Sequence, residues 1–216
     1  MHLESLKVQY SCNIVLRKIV VCYSKCEVSE VFESLRPLQK YMKKKISEKY
    51  LKEQIKLHEN TNYGIASLSH APTIKNLMAE AKLKSLSDYG AGKKNLQKGL
   101  TELGFIEFEY FPYDPVFPEY GLPKKADLVC CIDVMEHLEE EFLDDILNEI
   151  CEITLKFCYF SIATAPAKKV LSDGRNAHII QKPSRWWLPK LCKLFNIEFL
   201  KNTKSGFIVI CKPIES

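Results

Sequence analysis

Hydrophobic positions after about residue 69 recur at two spacings in turn, one typical of helices and the other of strands. Ile74, Leu77, Met78 and Ala81 fall on one helical face, and Pro72 suits the first turn of that helix. The segments that follow alternate in the same way. We predict strands over 84–89, 106–111, 127–132 and 157–163, helices around 96–103, 142–157 and 188–195, and a final antiparallel pair formed by 197–200 and 207–211.

Strands that alternate with helices predict an α/β fold. The expected architecture is a doubly wound, mostly parallel sheet that is covered by helices on both faces and has a terminal antiparallel strand. Only about a dozen residues separate Asp114 from Asp127, which is too few for a crossover helix and a strand. We therefore expect the region of the usual third strand to be reduced.

The chain before this alternating region has a different pattern. We predict an amino-terminal extension over residues 1–60 and a catalytic-type domain over 61–216. The first 27 residues suggest a strand or hairpin, and residues 28–57 suggest a helix broken near Pro37. Lysines are dense between Lys40 and Lys56. Such a segment is typical of a solvated helix face, and the alternative is a surface for an anionic substrate or a membrane.

Composition adds limits on compartment and partners. The chain has 216 residues, 46% of them hydrophobic, and a net charge of +4. A normal core is expected, and the mild charge does not favour nucleic acid. The nine cysteines contain no C-x-x-C pair, so we expect reduced thiols, a cytoplasmic location and no zinc site. No run reaches the roughly 18 apolar residues of a membrane span.

A glycine turn follows the first predicted strand, in Ser-Asp-Tyr-Gly-Ala-Gly-Lys-Lys at 87–94. Gly90 and Gly92 let the backbone approach a ligand closely. Asp114 comes about 20 positions later, where an acidic side chain can accept hydrogen bonds from both ribose hydroxyls. Position 95 is Asn rather than the third glycine of a dinucleotide turn, which favours a smaller nucleoside cofactor. The alternative for Asp114 is a turn aspartate before Pro115.

Taken in order, the motifs resemble those of class I S-adenosylmethionine-dependent methyltransferases, in particular small bacterial and phage enzymes. The resemblance covers roughly residues 55–212. It is carried by Leu57-His58, Tyr63-Gly64, Asp88-Tyr89-Gly90-Ala91-Gly92-Lys93-Lys94, Tyr113-Asp114-Pro115, Asp133-Val134-Met135-Glu136-His137, Asp173-Gly174-Arg175-Asn176-Ala177-His178 and Trp186-Trp187.

The resemblance implies a Rossmann-like fold with S-adenosylmethionine as cofactor. It implies that Asp88, Gly90 and Gly92 wrap the methionine part, that Asp114 holds the ribose, and that Asp133 closes the site at the tip of the next strand. Two features depart from the family pattern. Position 94 is Lys where the family prefers Gly, and the reduced third-strand region leaves the residue that contacts adenine unassigned.

A polar loop follows the strand at 157–163 and contains Asp173, Arg175, Asn176 and His178. Open α/β sheets bind ligands beyond the carboxyl ends of their strands, so this loop is the predicted acceptor side. We predict His178, with Asp173, as base or orienter, and Arg175 and Asn176 as substrate contacts. The alternative for His178 is a structural role within the loop.

Two further residues are candidates for the substrate pocket. His137 follows the strand at 127–132 and is predicted to form a pocket wall beside the transferred methyl group. Capping or packing is its alternative role. Trp186 is predicted to contact the substrate, although core packing explains at least one of Trp186 and Trp187. Lys168 and Lys169 suit an anionic acceptor or are simply solvated.

The predicted activity is methyl transfer to a small molecule or a surface-glycan precursor, at a sugar hydroxyl or a capsular phosphoramidate, as in bacterial polysaccharide biosynthesis. No metal-binding constellation is evident, so we predict metal-independent transfer. Two alternatives remain. One is a nucleic-acid methyltransferase, suggested by the basic segment at Lys43–Lys45. The other is a non-catalytic partner with a methyltransferase fold, suggested by Lys94 and by the short third-strand region. The sequence leaves the oligomeric state open.

Overall fold

A computed structural model describes residues 45–60 and 63–215. A six-stranded sheet lies at the centre of this part of the chain, with the strand order β2-β1-β3-β4-β6-β5. The strands are β1 (Ser85–Tyr89), β2 (Glu109–Tyr113), β3 (Ala126–Ile132), β4 (Thr154–Ala163), β5 (Phe195–Asn202) and β6 (Gly206–Pro213).

Strand direction follows the predicted pattern. Strands β1 to β4 are mutually parallel, and β6 pairs antiparallel with both β4 and β5. Gly206, at the start of β6, lies so close to β4 that an added Cβ would sit 2.0 Å from the Ile162 carbonyl oxygen. The doubly wound, mostly parallel sheet with an antiparallel strand is confirmed.

Helices connect the strands and cover the sheet. The α-helices are α1 (Glu48–Glu59), α2 (Ala71–Glu80), α3 (Asn95–Glu102), α4 (Leu143–Ile153) and α5 (Ser184–Leu191). Single turns of 3-10 helix occur at Ala66–His70, Pro118–Tyr120, Met135–His137 and Glu140–Phe142.

Two hydrophobic clusters lie on opposite faces of the sheet. Cys130 packs into the cluster with α2 and α3, while its neighbour Cys131 packs into the cluster with α4 and α5. Both side chains are fully buried. Successive residues of a strand point to opposite faces, so this alternation shows that β3 is covered on both sides, as parallel strands require.

The region between β2 and β3 contains one 3-10 turn and no strand. The expected reduction of the third-strand region is therefore confirmed, and β2 becomes an edge strand. It begins at Glu109 rather than at Ile106, which is 66% exposed. It also continues through Pro112 to Tyr113, because an edge strand tolerates a residue that cannot donate a backbone hydrogen bond.

The predictions for the amino-terminal part fall mostly on residues 1–44, which lie outside the described residues. The helix predicted over 28–57 is described only from residue 45, and there it begins at Glu48 with Ser47 as its N-cap. The domain boundary at residue 60 stays a prediction. Among the described helices, none is long and apolar enough to cross a bilayer.

Candidate functional site

A cavity of about 440 Å³ lies beyond the carboxyl ends of β1 to β4. Its wall includes all five predicted cofactor residues and both predicted histidines, which come from separate turns of the chain. These residues are Asp88, Gly90, Gly92, Asp114, Asp133, His137 and His178. Ligands of open α/β sheets bind in this position, so the cavity is the candidate active site.

The turn after β1 requires glycine at two positions. Gly90 has a φ of +81°, and an added Cβ would lie 2.3 Å from a methyl carbon of Val134. Gly92 has a φ of +49°, and its N–H donates to Asp114 Oδ2 at 2.9 Å. The turn therefore packs directly against the tips of β2 and β3, and its backbone lines the cavity.

Asp114 is held by backbone donors on both carboxylate oxygens. Besides the Gly92 contact, the N–H of Val116 donates to Oδ1 at 2.8 Å. The side chain is only 7% exposed. Burial raises the pKa of Asp114, while these two hydrogen bonds act in the opposite direction. Each carboxylate oxygen has a second lone pair, so both remain able to accept a ligand hydroxyl.

Asp88, at the end of β1, is the second buried carboxyl group in the cavity wall. Burial raises its pKa from 3.8 to about 7, against the effect of a hydrogen bond from the Tyr110 hydroxyl. The nearby Asp114 raises the pKa further. A cationic ligand beside Asp88 would favour its ionised form.

Lys94, which departs from the family pattern, caps α3 in a left-handed conformation with a φ of 58°. Its Nζ lies 4.3 Å from the centre of the Tyr120 ring. The Tyr120 hydroxyl in turn donates to the carbonyl oxygen of Gly92 at 3.0 Å. The lysine side chain therefore packs on the outside of the turn and does not line the cavity.

The tip of β3 places two acidic residues near the cavity. Asp133 has a φ of 53° and accepts a hydrogen bond from the Ser161 hydroxyl at 2.8 Å. Glu136 is fully buried, and its Oε1 accepts from the N–H of Ala163 at 3.0 Å. Burial, reinforced by Asp133, raises the pKa of Glu136 to about 8.

Three histidines meet in the cavity wall. The rings of His137 and His178 are T-shaped with centroids 4.8 Å apart, while His58 contacts Tyr63, whose ring reaches His137. Burial and the neighbouring His178 lower the pKa of His137 to about 4. Burial also lowers the pKa of His58. We therefore expect His137 to be neutral near pH 7.

Helix α1 supplies one side of the cavity through Tyr50, Gln54 and His58. Its buried Glu53 accepts hydrogen bonds from the Ser172 N–H at 2.8 Å and hydroxyl at 2.7 Å. At its start, the Ser47 hydroxyl donates to Glu139 at 2.6 Å. These contacts attach the helix to the loop after β4 and to the segment after β3.

The remaining predicted substrate residues do not line the cavity. Asp173 and Arg175 form an ion pair at 2.8 Å on the loop surface. Asn176 fixes the loop, because its Oδ1 accepts from the N–H groups of Ala167 and His178 at 2.9 Å each. Trp186 packs against the core and contacts the ammonium groups of Lys182 and Lys190. The catalytic role of Asp173 and the substrate roles of Arg175, Asn176 and Trp186 stay predictions.

Several cavity residues were not among the sequence candidates. Tyr50, Gln54, His58 and Tyr63 line the cavity, and Glu136 lies behind it. Leu57-His58, Tyr63-Gly64 and Glu136-His137 were all among the motifs that carry the resemblance. Membership of these motifs was the signal in the sequence that could have identified His58, Tyr63 and Glu136. Tyr50 and Gln54 belong to no motif, so the sequence gave no signal for them.

Comparison by sequence gives no relative, since no known family model and no curated protein matches the chain. Solved structures do match. The DhpI–SAH complex superposes with a TM-score of 0.51 at 12% identity, covering 77% of this chain and 98% of that one. An N1-methyltransferase for 1,6-didemethyltoxoflavin from Burkholderia thailandensis follows with a TM-score of 0.49, 14% identity and coverage of 70% and 80%.

NodS, an N-methyltransferase from Bradyrhizobium japonicum WM9, has a TM-score of 0.49 at 8% identity, with coverage of 77% of this chain and 99% of that one. At such low identity, structural likeness establishes architecture only. The chain therefore shares the α/β fold of the DhpI structure, with its own candidate site at the carboxyl ends of the strands.

Proposed function

We propose that this protein is an S-adenosylmethionine-dependent methyltransferase that acts on a small molecule. The observation that carries the proposal is the turn at Gly90–Gly92, whose backbone is hydrogen-bonded to the buried Asp114 in the wall of the cavity. DhpI, which shares the fold, is described in complex with SAH. The ordered sequence motifs support the same cofactor.

Each part of the cofactor has a candidate partner in the cavity wall. Asp114 would hold the ribose through its remaining lone pairs, and the glycine turn would accommodate the methionine part without steric conflict. Asp88 would face positive charge on that part of the cofactor. Asp133 would close the site from the tip of β3. The adenine contact has no candidate on a third strand, because the described region between β2 and β3 has none.

Methyl transfer is an in-line displacement at a sulfonium carbon, so the protein mainly has to align the acceptor with the methyl group. His137 and His178 line the cavity from the segments that follow β3 and β4, whereas the glycine turn follows β1. We propose that His178 orients or deprotonates the acceptor and that His137 lies beside the methyl group.

The acceptor proposed from the sequence is a small molecule or a surface-glycan precursor, with a sugar hydroxyl or a phosphoramidate as the methylated group. Lys168 and Lys169 line the cavity and are exposed. Two ammonium groups at the mouth favour an anionic acceptor, such as a phosphorylated sugar. The polysaccharide context and a bacterial, cytoplasmic setting remain part of this proposal.

Nucleic acid is a weaker candidate. The basic segment that suggested it ends at Lys45, and the Lys45 ammonium group is paired with Glu149 in the structure. A non-catalytic role was suggested by Lys94 and by the short third-strand region. The Lys94 side chain lies outside the cavity wall, whereas the described region between β2 and β3 does lack a strand.

Calorimetric titration with S-adenosylmethionine and S-adenosylhomocysteine tests the cofactor and its site. We expect micromolar binding to the wild type and binding at least tenfold weaker (about 1.4 kcal/mol) to Asp114→Ala. Asp127→Ala is the matched control, because Asp127 lies at the opposite end of β3 from the cavity and should leave the affinity unchanged. No binding to folded wild-type protein would refute the proposal.

A further inference from the structure

Three side chains beside the cavity have the composition of a metal site. Glu136, His137 and His178 each offer one ligand atom, and these atoms all lie within 4.8 Å of one another. Glu136 and His137 come from the turn after β3, while His178 comes from the loop after β4. Two parallel strands therefore bring the three groups together at their carboxyl ends.

The histidines are oriented in the way that metal-binding histidines usually are. His137 Nδ1 lies 2.8 Å from the carbonyl oxygen of Ala177, and His178 Nδ1 lies 2.7 Å from that of Ala165. A carbonyl oxygen only accepts, so Nδ1 carries the proton in both rings. The Nε2 lone pairs are then free for a ligand, and the carbonyl contacts fix the rings as outer partners of metal-bound histidines do.

Glu136 supplies the independent observation. Its Oε1 is satisfied by the Ala163 N–H, but its Oε2 is buried and has no hydrogen-bond partner among the described residues. A buried carboxyl oxygen without a hydrogen-bond partner destabilises the folded state. A cation at this oxygen would remove that destabilisation.

We propose that Glu136, His137 and His178 bind a divalent first-row transition-metal ion. Two imidazoles and one carboxylate suit manganese, iron, cobalt or zinc better than magnesium or calcium, which prefer oxygen ligands alone. Ligands at about 2.1 Å from an ion lie about 3.0–3.4 Å apart. Binding would therefore draw the three side chains inward by about an ångström. Three protein ligands also leave coordination positions open towards the cavity.

An ion at this site would activate the methyl acceptor, and this role rests on the proposed methyl transfer. An acceptor hydroxyl bound to the ion has a lowered pKa, so it releases its proton to solvent. The oxygen lone pair then forms the bond to the methyl carbon, the carbon–sulfur bond breaks, and its electron pair stays on the neutral sulfur of the product S-adenosylhomocysteine. His178 would then act as a ligand rather than as the base.

A metal ion at this site would contradict the metal-independent transfer that was predicted from the sequence, and that prediction stays untested. The sequence separates His178 from Glu136-His137 by some forty residues, with no spacing that indicates a metal site. Only the fold places the three together.

Manganese binding tests the proposal, and Mn²⁺ is chosen because it has little affinity for the chain's many thiols. Free Mn²⁺ is measured by electron paramagnetic resonance after chelator treatment and without cofactor. We expect one Mn²⁺ per chain in the wild type. Glu136→Gln, which keeps an acceptor for the Ala163 N–H, and His178→Gln should each weaken binding at least tenfold. His70→Gln is the matched control, since His70 is a partly buried histidine that contacts Tyr159 outside this cluster.

Pulsed electron paramagnetic resonance of the wild type gives a readout that needs no variant. Bound Mn²⁺ should show modulation from imidazole nitrogen. Absence of that modulation, absence of binding, or equal affinity in the wild type and both cluster variants would overturn the proposal. The cofactor titration is repeated with chelator present, so loss of cofactor binding and loss of metal binding are separate results.

Discussion

Two lysines occupy left-handed backbone in the described part of the chain, and they provide a test of what the side chain of Lys94 contributes. Lys82 has a φ of 52° and is exposed, and Lys94 has a φ of 58° and stacks over Tyr120. Left-handed backbone costs an ordinary residue about 1–2 kcal/mol. Lys82→Gly should therefore raise the free energy of unfolding by about 1 kcal/mol, measured by urea denaturation.

For Lys94→Gly the gain should be smaller by about 0.5–1 kcal/mol, because the cation–π contact is lost. A gain equal to that of Lys82→Gly would show that the contact with Tyr120 contributes nothing. The left-handed backbone at position 94 thus gives a conformational reason for glycine there, which no pattern of hydrophobic spacing reveals.

We predict that Gly90 tolerates substitution less well than a glycine of similar backbone conformation that has open space around it. Gly104→Ala is the control, since Gly104 has a φ of +73° and open space around it, so its cost should be only the conformational one, about 1 kcal/mol. Gly90→Ala adds a steric conflict with Val134 and should cost about 1–3 kcal/mol more. Denaturant unfolding measures both.

The double variant Gly90→Ala/Val134→Ala removes the conflicting methyl carbons and should recover part of the loss. If the single variant were no less stable than Gly104→Ala, the close approach of the turn to Val134 would be wrong.

At the scale of the residue, the sequence indicated which glycines and which aspartate lie in the cavity wall, but not which polar side chains pair with one another. Gly90, Gly92 and Asp114 lie together in the cavity wall. Each belongs to a short turn at the end of a strand, and such turns can be recognised from nearby residues in the sequence. Arg175 was predicted to contact the substrate, and that role stays a prediction, but in the structure its guanidinium group pairs with Asp173 two residues away. Polarity in a loop does not tell whether a charge faces a ligand or a neighbour.

At the scale of the element, β1 and β3 carry aspartates at opposite ends with opposite pKa shifts. Asp88 is the next-to-last residue of β1, and burial raises its pKa to about 7. Asp127 is the second residue of β3. Desolvation is the largest single influence on its pKa and raises it, but the Lys84 N–H and the Lys156 ammonium group together outweigh it, so the pKa is lowered. The titratable groups that face Asp88 are Tyr110, Asp114, Tyr120, Cys130 and Cys131.

These shifts predict different pH dependences of stability. Folded Asp88 keeps a proton that the unfolded chain releases above about pH 4, so its contribution to stability falls as pH rises towards 7. Asp88→Asn should therefore make the slope of unfolding free energy against pH more positive between pH 4 and 7. The measurement is urea denaturation at several pH values, with the cofactor absent.

Asp127→Asn is the control, because the pKa of Asp127 is shifted in the opposite direction to that of Asp88. The contribution of Asp127 is present above about pH 4 and disappears as pH falls below that value, so the variant should be less stable by a constant amount between pH 4 and 7. An unchanged slope in Asp88→Asn would mean that Asp88 is ionised throughout this range in the folded state.

Hydrophobic spacing predicted which segments are helices and which are strands, but not the residues at which they begin and end. The final pair was predicted at 197–200 and 207–211 and is present as the longer β5 and β6. Strand β4 was predicted to begin at Phe157 but begins at Thr154, because Ala126 pairs with Thr154 across the sheet. Pairing between strands fixes such boundaries, and a single segment carries no information about its partner.

At the scale of the whole molecule, the mostly parallel sheet follows from the alternation of strands and helices, and the missing third strand follows from a count of residues. The order of the strands in the sheet was not predicted. The participation of α1 in the cavity could not be predicted in the same way. Its hydrophobic pattern shows a helix, but its contacts from Glu53 to Ser172 and from Ser47 to Glu139 join segments far apart in sequence.

Helix α1 has 12 residues, which is at the lower limit for a helix that is stable by itself in water. Its order therefore depends on the contacts that hold it to the cavity rim. One side of the candidate site is therefore complete only while the helix is docked against the rest of the protein. The apparent affinity for any ligand that touches Tyr50 or His58 is the intrinsic affinity multiplied by the docked fraction. Substitutions at the helix–loop contacts would tune binding without touching the ligand.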